Sequence, residues 1–401
     1  MGNDDYSKSL MYSVIINSTI IDSKCVNELV DNNLIESYKD IYEAVRNGVD
    51  LKGLSERTVI RIKDASSELD KIRKTYDRYE ELIMHNRIKV VSDDSEYYPR
   101  IWAGLTGMPK VFYIRGNADV LKKIDECGSV SVVGSRKPSR YAQCATNEFV
   151  KPIASGGAVI VSGMALGIDR TAHEAAMDAQ GTTLAVMPGG CDEIYPRENT
   201  DVFERILSGG GAVLSEMPPS SGIKKQYFPS RNRLISALSD CCLIMEAGEY
   251  SGTLHTASYA ACQGREVFVL PNNIYADNCM GGLRLINDGA SILLSVDDVI
   301  DSVASMLLYR KVESKGQIVP AEDRMTIRAI RQKLSSSPAD TDDNDIKLII
   351  LDELSVRNRT CDELCDMTGL PFYRIAGILS DMELDGKICQ DKGKFALTIS
   401  H

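Results

Sequence analysis

The densest chemistry in the sequence lies in ten residues, Lys224 to Arg233 (KKQYFPSRNR), where four cations, Lys224, Lys225, Arg231 and Arg233, interleave with Tyr227 and Phe228. Between Glu216 and Asp240 no other side chain is charged. Cations neutralise phosphates and aromatic rings stack on bases, the two ingredients of single-strand nucleic-acid binding. A structural use competes with this reading, because Arg231-Asn232-Arg233 at the start of a helix can hold neighbouring loops together. The composition favours the binding reading. With 57 Asp+Glu against 46 Lys+Arg the net charge is −11, so any attraction to a polyanion has to come from a local patch such as this one.

A second constellation is made of glycine loops. Ser129–Val133 is an apolar, β-branched run that breaks at Gly134-Ser135-Arg136, and Ala158–Val161 breaks in the same way at Ser162-Gly163, with Gly167 a few residues on. Two strands that each feed a helix through a Gly/Ser loop form a βαβ unit. The N–H groups at such helix starts attract anions, and phosphate is the expected ligand. Arg136, just past the first loop, is placed to grip a phosphate through two parallel hydrogen bonds.

The elements that must position these residues recur along the chain. Further strand-like runs are Thr182–Met187, Ala212–Ser215, Cys241–Ala247, Glu266–Leu270 and Ser291–Leu294, several of them continuously apolar, as strands buried on both faces are. The fold class is therefore α/β, an extended Rossmann-type, doubly wound parallel sheet over residues 128–306. Ligands in such sheets sit beyond the carboxyl ends of the strands. There the sequence has VVGSR, VSGMALGID, MPGGCDEIYP, LSEMP, EAGEYSGTLHTA and LPNN, six Gly/Ser/Pro-rich ends forming one rim, with Ser251, Gly252 and Thr253 in the fifth.

Flanking segments differ in pattern. Residues 1–84 read as a helical module, and DLKGLSERTVIRI (Asp50–Ile62) resembles half of a helix-hairpin-helix or SAM-like unit, for which an ordinary helix start is the plainer explanation. Residues 85–127, with the strand-like Ile88–Val91, the phrase VFYIRGN and the only tryptophan, Trp102, read as a connecting segment packed on the next domain. Residues 307–344 contain SSSPADTDDND and read as a linker. Residues 345–401 read as a winged helix: a helix at Lys347–Leu354, a capping phrase at Thr360, a helix over Pro371–Leu384 and a hairpin around Gly393. Seven Lys/Arg against ten Asp/Glu between Asp345 and Ile399 make it a poor phosphate binder, so a protein contact is expected of it.

Several function classes are set aside. No apolar run reaches the roughly 20 residues of a membrane span, so a cytoplasmic protein with no membrane partner is expected. Eleven scattered cysteines fit reduced, packed thiols, and Cys361, Cys365 and Cys389 lack a fourth ligand for zinc, so no metal is expected. His173 and Asp169 have no nucleophile partner and are read as packing and loop-bracing residues.

In order, VGSR, SGMALGIDRTAH, AVMPGGCDEIYP, LSEMP, FPSRNRLIS, EAGEYSGTLHTA and INDGA resemble the DNA-processing protein A family, DprA or Smf. The likeness is strong from Gly128 to Leu294 and extends to YYPRIW/VFYIRGN and to GLPFYRIAGILSDMELDGKI in the tail. It implies a homodimer that binds single-stranded DNA and helps load RecA recombinase onto strands covered by single-strand binding protein, with no catalysis and no cofactor. The family's pocket maps onto Arg136, Lys225, Phe228, Arg231 and Arg233, with Ser135, Ser162, Gly163 and Gly167 lining the loops. The chain departs from the family's pattern at Leu270-Pro271-Asn272 and Gly281-Gly282-Leu283.

The rival class is the nucleoside-monophosphate phosphoribohydrolases, which share this Rossmann variant and use a PGGxGTxxE glutamate on the ribose. Here Pro188-Gly189-Gly190 runs into Cys191-Asp192-Glu193, and Thr256 stands where Gly252-Thr253 would lead to the glutamate. The spacing does not let Glu246 replace it. A dinucleotide oxidoreductase fails on VGSRKPS, which lacks GxGxxG.

Overall fold

The computed structural model describes residues 3–18, 21–276, 278–313, 343, 346–347, 349–350, 354, 359–384, 388–391 and 394–397. It divides into two compact units, residues 1–296 and 297–401, each taken by itself.

In the first unit five helices come first: α1 (Asn3–Asn17), α2 (Ser23–Asp31), α3 (Ile41–Asn47), α4 (Glu56–Ser67) and α5 (Leu69–Asn86). Two strands follow, β1 (Ile88–Ser92) and β2 (Val111–Gly116), then α6 (Asp119–Cys127). The alternating part runs β3 (Ser129–Gly134), α7 (Arg140–Ser155), β4 (Val159–Ser162), α8 (Ile168–Asp178), β5 (Thr183–Val186), α9 (Thr200–Ser208) and β6 (Ala212–Ser215). It continues through α10 (Tyr227–Ala237), β7 (Cys241–Glu246), α11 (Thr253–Cys262), β8 (Glu266–Val269), α12 (Met280–Asn287) and β9 (Ser291–Ile292).

One nine-stranded sheet results, in the order β1-β2-β6-β5-β4-β3-β7-β8-β9. From β6 to β9 all neighbours are parallel, and every residue of β4, β5, β6 and β7 is buried, as their continuous apolar character requires. The chain steps outward from β3 through β6 and then returns to the other side of β3 as β7, so the switch point lies between β3 and β7. The pairing slips by one residue there, Gly134 opposing Glu246.

The connecting segment does more than pack on a domain. Its strands β1 and β2 extend the sheet itself, antiparallel to one another and with β2 antiparallel to β6. The helical N-terminal residues share one hydrophobic core with the sheet, from Leu10, Ile15 and Ile41 through Tyr76 and Tyr113 to Phe203 and Val213. Ser13 Oγ and the buried Tyr113 hydroxyl are 2.6 Å apart across that junction. The boundary read at residue 84 thus falls inside one compact unit.

The Gly53 turn has φ +87° and leads to Ser55, whose hydroxyl caps α4 by accepting from Thr58 N at 3.3 Å. The Glu28 carboxylate occupies that helix start, accepting from Ser55 N at 2.5 Å, Ser55 Oγ at 2.8 Å and Thr58 Oγ1 at 2.5 Å. The plainer explanation of this phrase therefore fits: an internal carboxylate fills the place a DNA phosphate would take.

In the second unit α13 (Val296–Glu313) is helical across the start of the stretch read as linker; the rest of that stretch up to residue 342, and half of the helix read at Lys347–Leu354, lie outside the described residues. Thr360 forms the expected capping box with Glu363 at the start of α14 (Cys361–Thr368), Gly369 ends that helix in the left-handed region, and α15 (Phe372–Leu384) leads to the β10 (Ile388–Asp391) and β11 (Lys394–Leu397) hairpin. Its core is Leu364, Leu370, Ile375, Ile378, Leu379, Met382, Ile388 and Phe395, with Ile346, Ile349, Ile350 and Leu354. Among the described residues no cluster of His, Cys, Asp or Glu could hold a metal ion, and no helix is long and apolar enough to cross a membrane.

Candidate nucleic-acid interface

At the end of β3, Gly134 lies against Ile168, where a Cβ would stand 2.7 Å from that side chain. The loop is tied down on both sides. Ser135 O accepts from Ile168 N at 3.1 Å and Ser135 Oγ from Lys137 N at 3.1 Å. Gly167, at φ +80°, passes so close that a Cβ would stand 2.4 Å from Ser135 O. Ser139 caps α7, and its own N–H and hydroxyl donate to the Glu246 carboxylate at 3.2 and 2.6 Å.

The anion sites expected at the two Gly/Ser loops are therefore filled from within. Glu246, which closes β7, takes the start of α7. Asp169, in the first turn of α8, accepts from Gly163 N and Ala165 N, each at 3.2 Å. Burial raises the Asp169 carboxyl above its usual range, against the pull of the Arg231 guanidinium and these two N–H groups.

Arg231 corrects the sequence-based expectation most sharply. It is buried on α10, donates to Gly163 O and to Val186 O (2.7 Å), and its Nε donates to Asn232 Oδ1 at 3.1 Å. Burial lowers its guanidinium to about 10, with Arg136 adding and Asp169 opposing, so it stays charged at neutral pH. A Cβ at Gly163 would stand 2.5 Å from this guanidinium and 2.8 Å from Asp169. Gly163 is thus the gap through which α10 is pinned to the ends of β4 and β5. Arg233 is likewise taken, paired at 2.5 Å with Glu216, whose carboxyl burial raises despite the pairing. Ser162 is buried and donates to Val132 O at 2.6 Å. Ser251 Oγ accepts from Thr253 N at 3.2 Å and donates to the buried Thr253 hydroxyl at 3.0 Å, while Asn232 reaches Gly252 O at 3.4 Å. These residues hold the loops in register, and most of their polar groups are satisfied inside the protein, Arg233 Nη1 being an exception.

The outward-facing layer is different. Arg136, Lys137, Arg140, Lys224 and Lys225 are exposed and make no ion pair among the described residues. The half-buried Phe228 ring has the Arg136 and Arg231 guanidinium carbons each 5.7 Å from its centroid, and Lys224 Nζ stands 5.4 Å from the Tyr227 ring. Tyr195, in the loop after β5, meets Phe228 edge-to-face at 6.1 Å and is 39% exposed. Sequence reasoning missed Tyr195 as a site residue, although MPGGCDEIYP was recognised as a rim loop; its proximity to Phe228 depends on how α10 is seated.

His173 is fully buried, 2.7 Å from Thr183 Oγ1, and burial beside Arg231 holds its imidazole down to about 3. It stays neutral at physiological pH and braces α8 on β5, as the sequence reading had it. Thr256 is buried, and Glu246 is occupied as the α7 cap, so neither is placed as a hydrolase's acid–base group.

This chain matches the family model of the DNA recombination-mediator protein A over residues 89–304, and that of the DprA winged helix domain over residues 332–394. The chain belongs to the DprA/Smf family. Protein Smf of Synechocystis sp. is 31% identical over 315 residues, covering 76% of this chain and 78% of the relative. The DNA processing protein DprA of Bacillus subtilis is 36% identical over 216 residues, covering 54% and 71%. Among solved structures, DprA from Streptococcus pneumoniae superposes with a TM-score of 0.58 at 29% identity, covering 73% of this chain and 95% of that one. The DprA match takes in β1 and β2 as well as every rim loop, so the two antiparallel strands belong to the family domain, and DNA processing as a recombination mediator is the family role of this chain. The second match takes in α14, α15 and β10 and ends at the first residue of β11, which establishes the winged helix.

Proposed function

We propose that this DprA/Smf protein binds single-stranded DNA across the switch-point rim, holding phosphates with Arg136, Lys224 and Lys225 and stacking a base on Phe228, with no bond made or broken. The observation that carries the reading is the grouping of one half-exposed aromatic ring, a guanidinium beside it and two exposed lysines that make no ion pair among the described residues, on an otherwise acidic chain. Single strands are preferred because a duplex hides its base faces. By analogy with the family, the bound strand is handed to RecA recombinase past single-strand binding protein, and a homodimer would raise avidity for long strands.

The test is fluorescence anisotropy of labelled single-stranded DNA at two salt concentrations. Arg136→Ala with Lys224→Ala and Lys225→Ala is expected to remove three phosphate contacts, lowering the salt slope by about 2 and the affinity about 100-fold near ~0.1 M salt. Binding that is indifferent to the triple change, or equal for duplex and single strand at matched salt, would sink the proposal.

A further inference from the structure

Beside α5 lies an open groove of about 550 Å³, lined by Lys71, Lys74, Thr75, Arg78, Tyr79 and Ser220, with Asp70 the one carboxylate in its lining. The neighbouring charges of α5 are accounted for: Lys71 pairs with Glu68 at 2.7 Å, and Arg73 with Asp77 at 3.1 Å while covering the Tyr76 ring. Lys74 and Arg78 are exposed and make no ion pair among the described residues. They stand four residues apart, hence on one face, where like charges repel and weaken a helix. Asp70, four residues before Lys74, and Glu81, three after Arg78, stand at helical neighbour spacing but form no ion pair with them among the described residues, so both cations stay open to an anion in the groove.

The groove takes in Ser220 from the loop between β6 and α10, the loop that also carries Lys224 and Lys225. Ser220 is held at φ +55° by donating its N–H to Asp192 at 2.9 and 3.0 Å, and lies only four residues before Lys224, at most about 14 Å of extended chain. Tyr79 lines the groove half-buried; burial raises its phenol, Arg78 opposes this, and Tyr227 of α10 and Asp192 of the rim loop after β5 add to it. Lys71 to Arg78 covers about 10 Å of helix.

We infer that this groove is a second length of the DNA track, in which Lys74 and Arg78 hold backbone phosphates of a strand already seated on the rim and Tyr79 offers a ring to a base. The inference rests on the rim reading above and extends it to the N-terminal helices, whose own helix start is closed by Glu28.

The experiment compares two labelled single strands, one of about 6 nucleotides that fills the rim alone and one of about 16 that reaches the groove, within the range of sites such platforms occupy. The full-length chain is used, with Lys74→Gln/Arg78→Gln, its charge-keeping counterpart Lys74→Arg/Arg78→Lys, and the rim triple variant. The Gln pair is expected to leave the short strand's affinity unchanged and to cost the long strand roughly 10- to 30-fold near ~0.1 M salt, with a salt slope lower by about 1.4. The charge-keeping pair should restore both. A long strand unaffected by the Gln pair overturns the groove, as does an equal loss on both lengths, which would mark a diffuse field. A rim triple variant that binds both lengths as the wild type does overturns the rim reading instead, so the two failures are told apart.

Discussion

The basic run from Lys224 to Arg233 divides into two halves with opposite fates. Lys224 and Lys225 lie in the loop before α10, exposed and without an ion pair among the described residues, while Arg231 and Arg233 lie two turns of chain later, turned inward against Gly163 O, Val186 O and Glu216. In composition the halves are equivalent; burial makes one a brace and leaves the other open to solvent. A cation next to a phosphate site is therefore evidence of binding only once its own partners are known. The same division runs through the loops, where Glu28, Asp169 and Glu246 satisfy the very N–H groups that a phosphate might have used.

The sharpest way to break this comparison is the same chemical change in each half. Arg231→Met should cost about 3–5 kcal/mol of stability in denaturant titration, because it leaves Asp169 buried without its cation. Lys224→Met with Lys225→Met should stay within about 0.5 kcal/mol of the wild type in the same titration and lose DNA affinity instead. Equal stabilities for the two variants would refute the division.

A smaller effect concerns the buried brace behind Arg231. The native His173 imidazole is held down to about 3 against 6.5 unfolded, so between those values the unfolded chain binds a proton that the native one does not. Stability therefore falls as pH drops through that window, by about 2 kcal/mol between neutral pH and pH 5 for this group alone. Comparing wild type with His173→Asn across that range should show a shallower decline in the variant; parallel curves would mean that His173 is protonated in the fold.

The smallest effect belongs to the exposed half. Phe228→Ala should weaken single-strand binding by about 1 to 2 kcal/mol, roughly five- to thirtyfold, with little change in the salt slope, since a ring and not a charge is lost. Phe228→Trp should keep the affinity. A change in slope as large as that of a lysine variant would show that the ring serves to orient Arg136.

Much of this was legible beforehand because it follows from local pattern. Continuous apolar runs ending in Gly/Ser loops fixed the parallel sheet, and Thr360-Cys361-Asp362-Glu363 could hardly be anything but a helix start. The rim was legible too, since in such a sheet all strand ends of one kind fall on one edge. What pattern could not show is who satisfies whom. That both arginines of Arg231-Asn232-Arg233 turn inward depends on how α10 packs, and the seat of Arg231 is left open by the missing Cβ of Gly163, a residue 68 positions away.

By itself, then, the sequence determined the fold class, the family and the neighbourhood of the site, because periodicity and loop composition are properties of neighbouring residues. Only the tertiary structure decided that Glu246 and Asp169 fill the helix starts, that Tyr195 joins Phe228, that the connecting strands extend the sheet and that Lys74 and Arg78 open beside the rim. Each of these is a contact between residues far apart in the chain, and the free energy of such a contact is set by burial and distance, which composition does not carry.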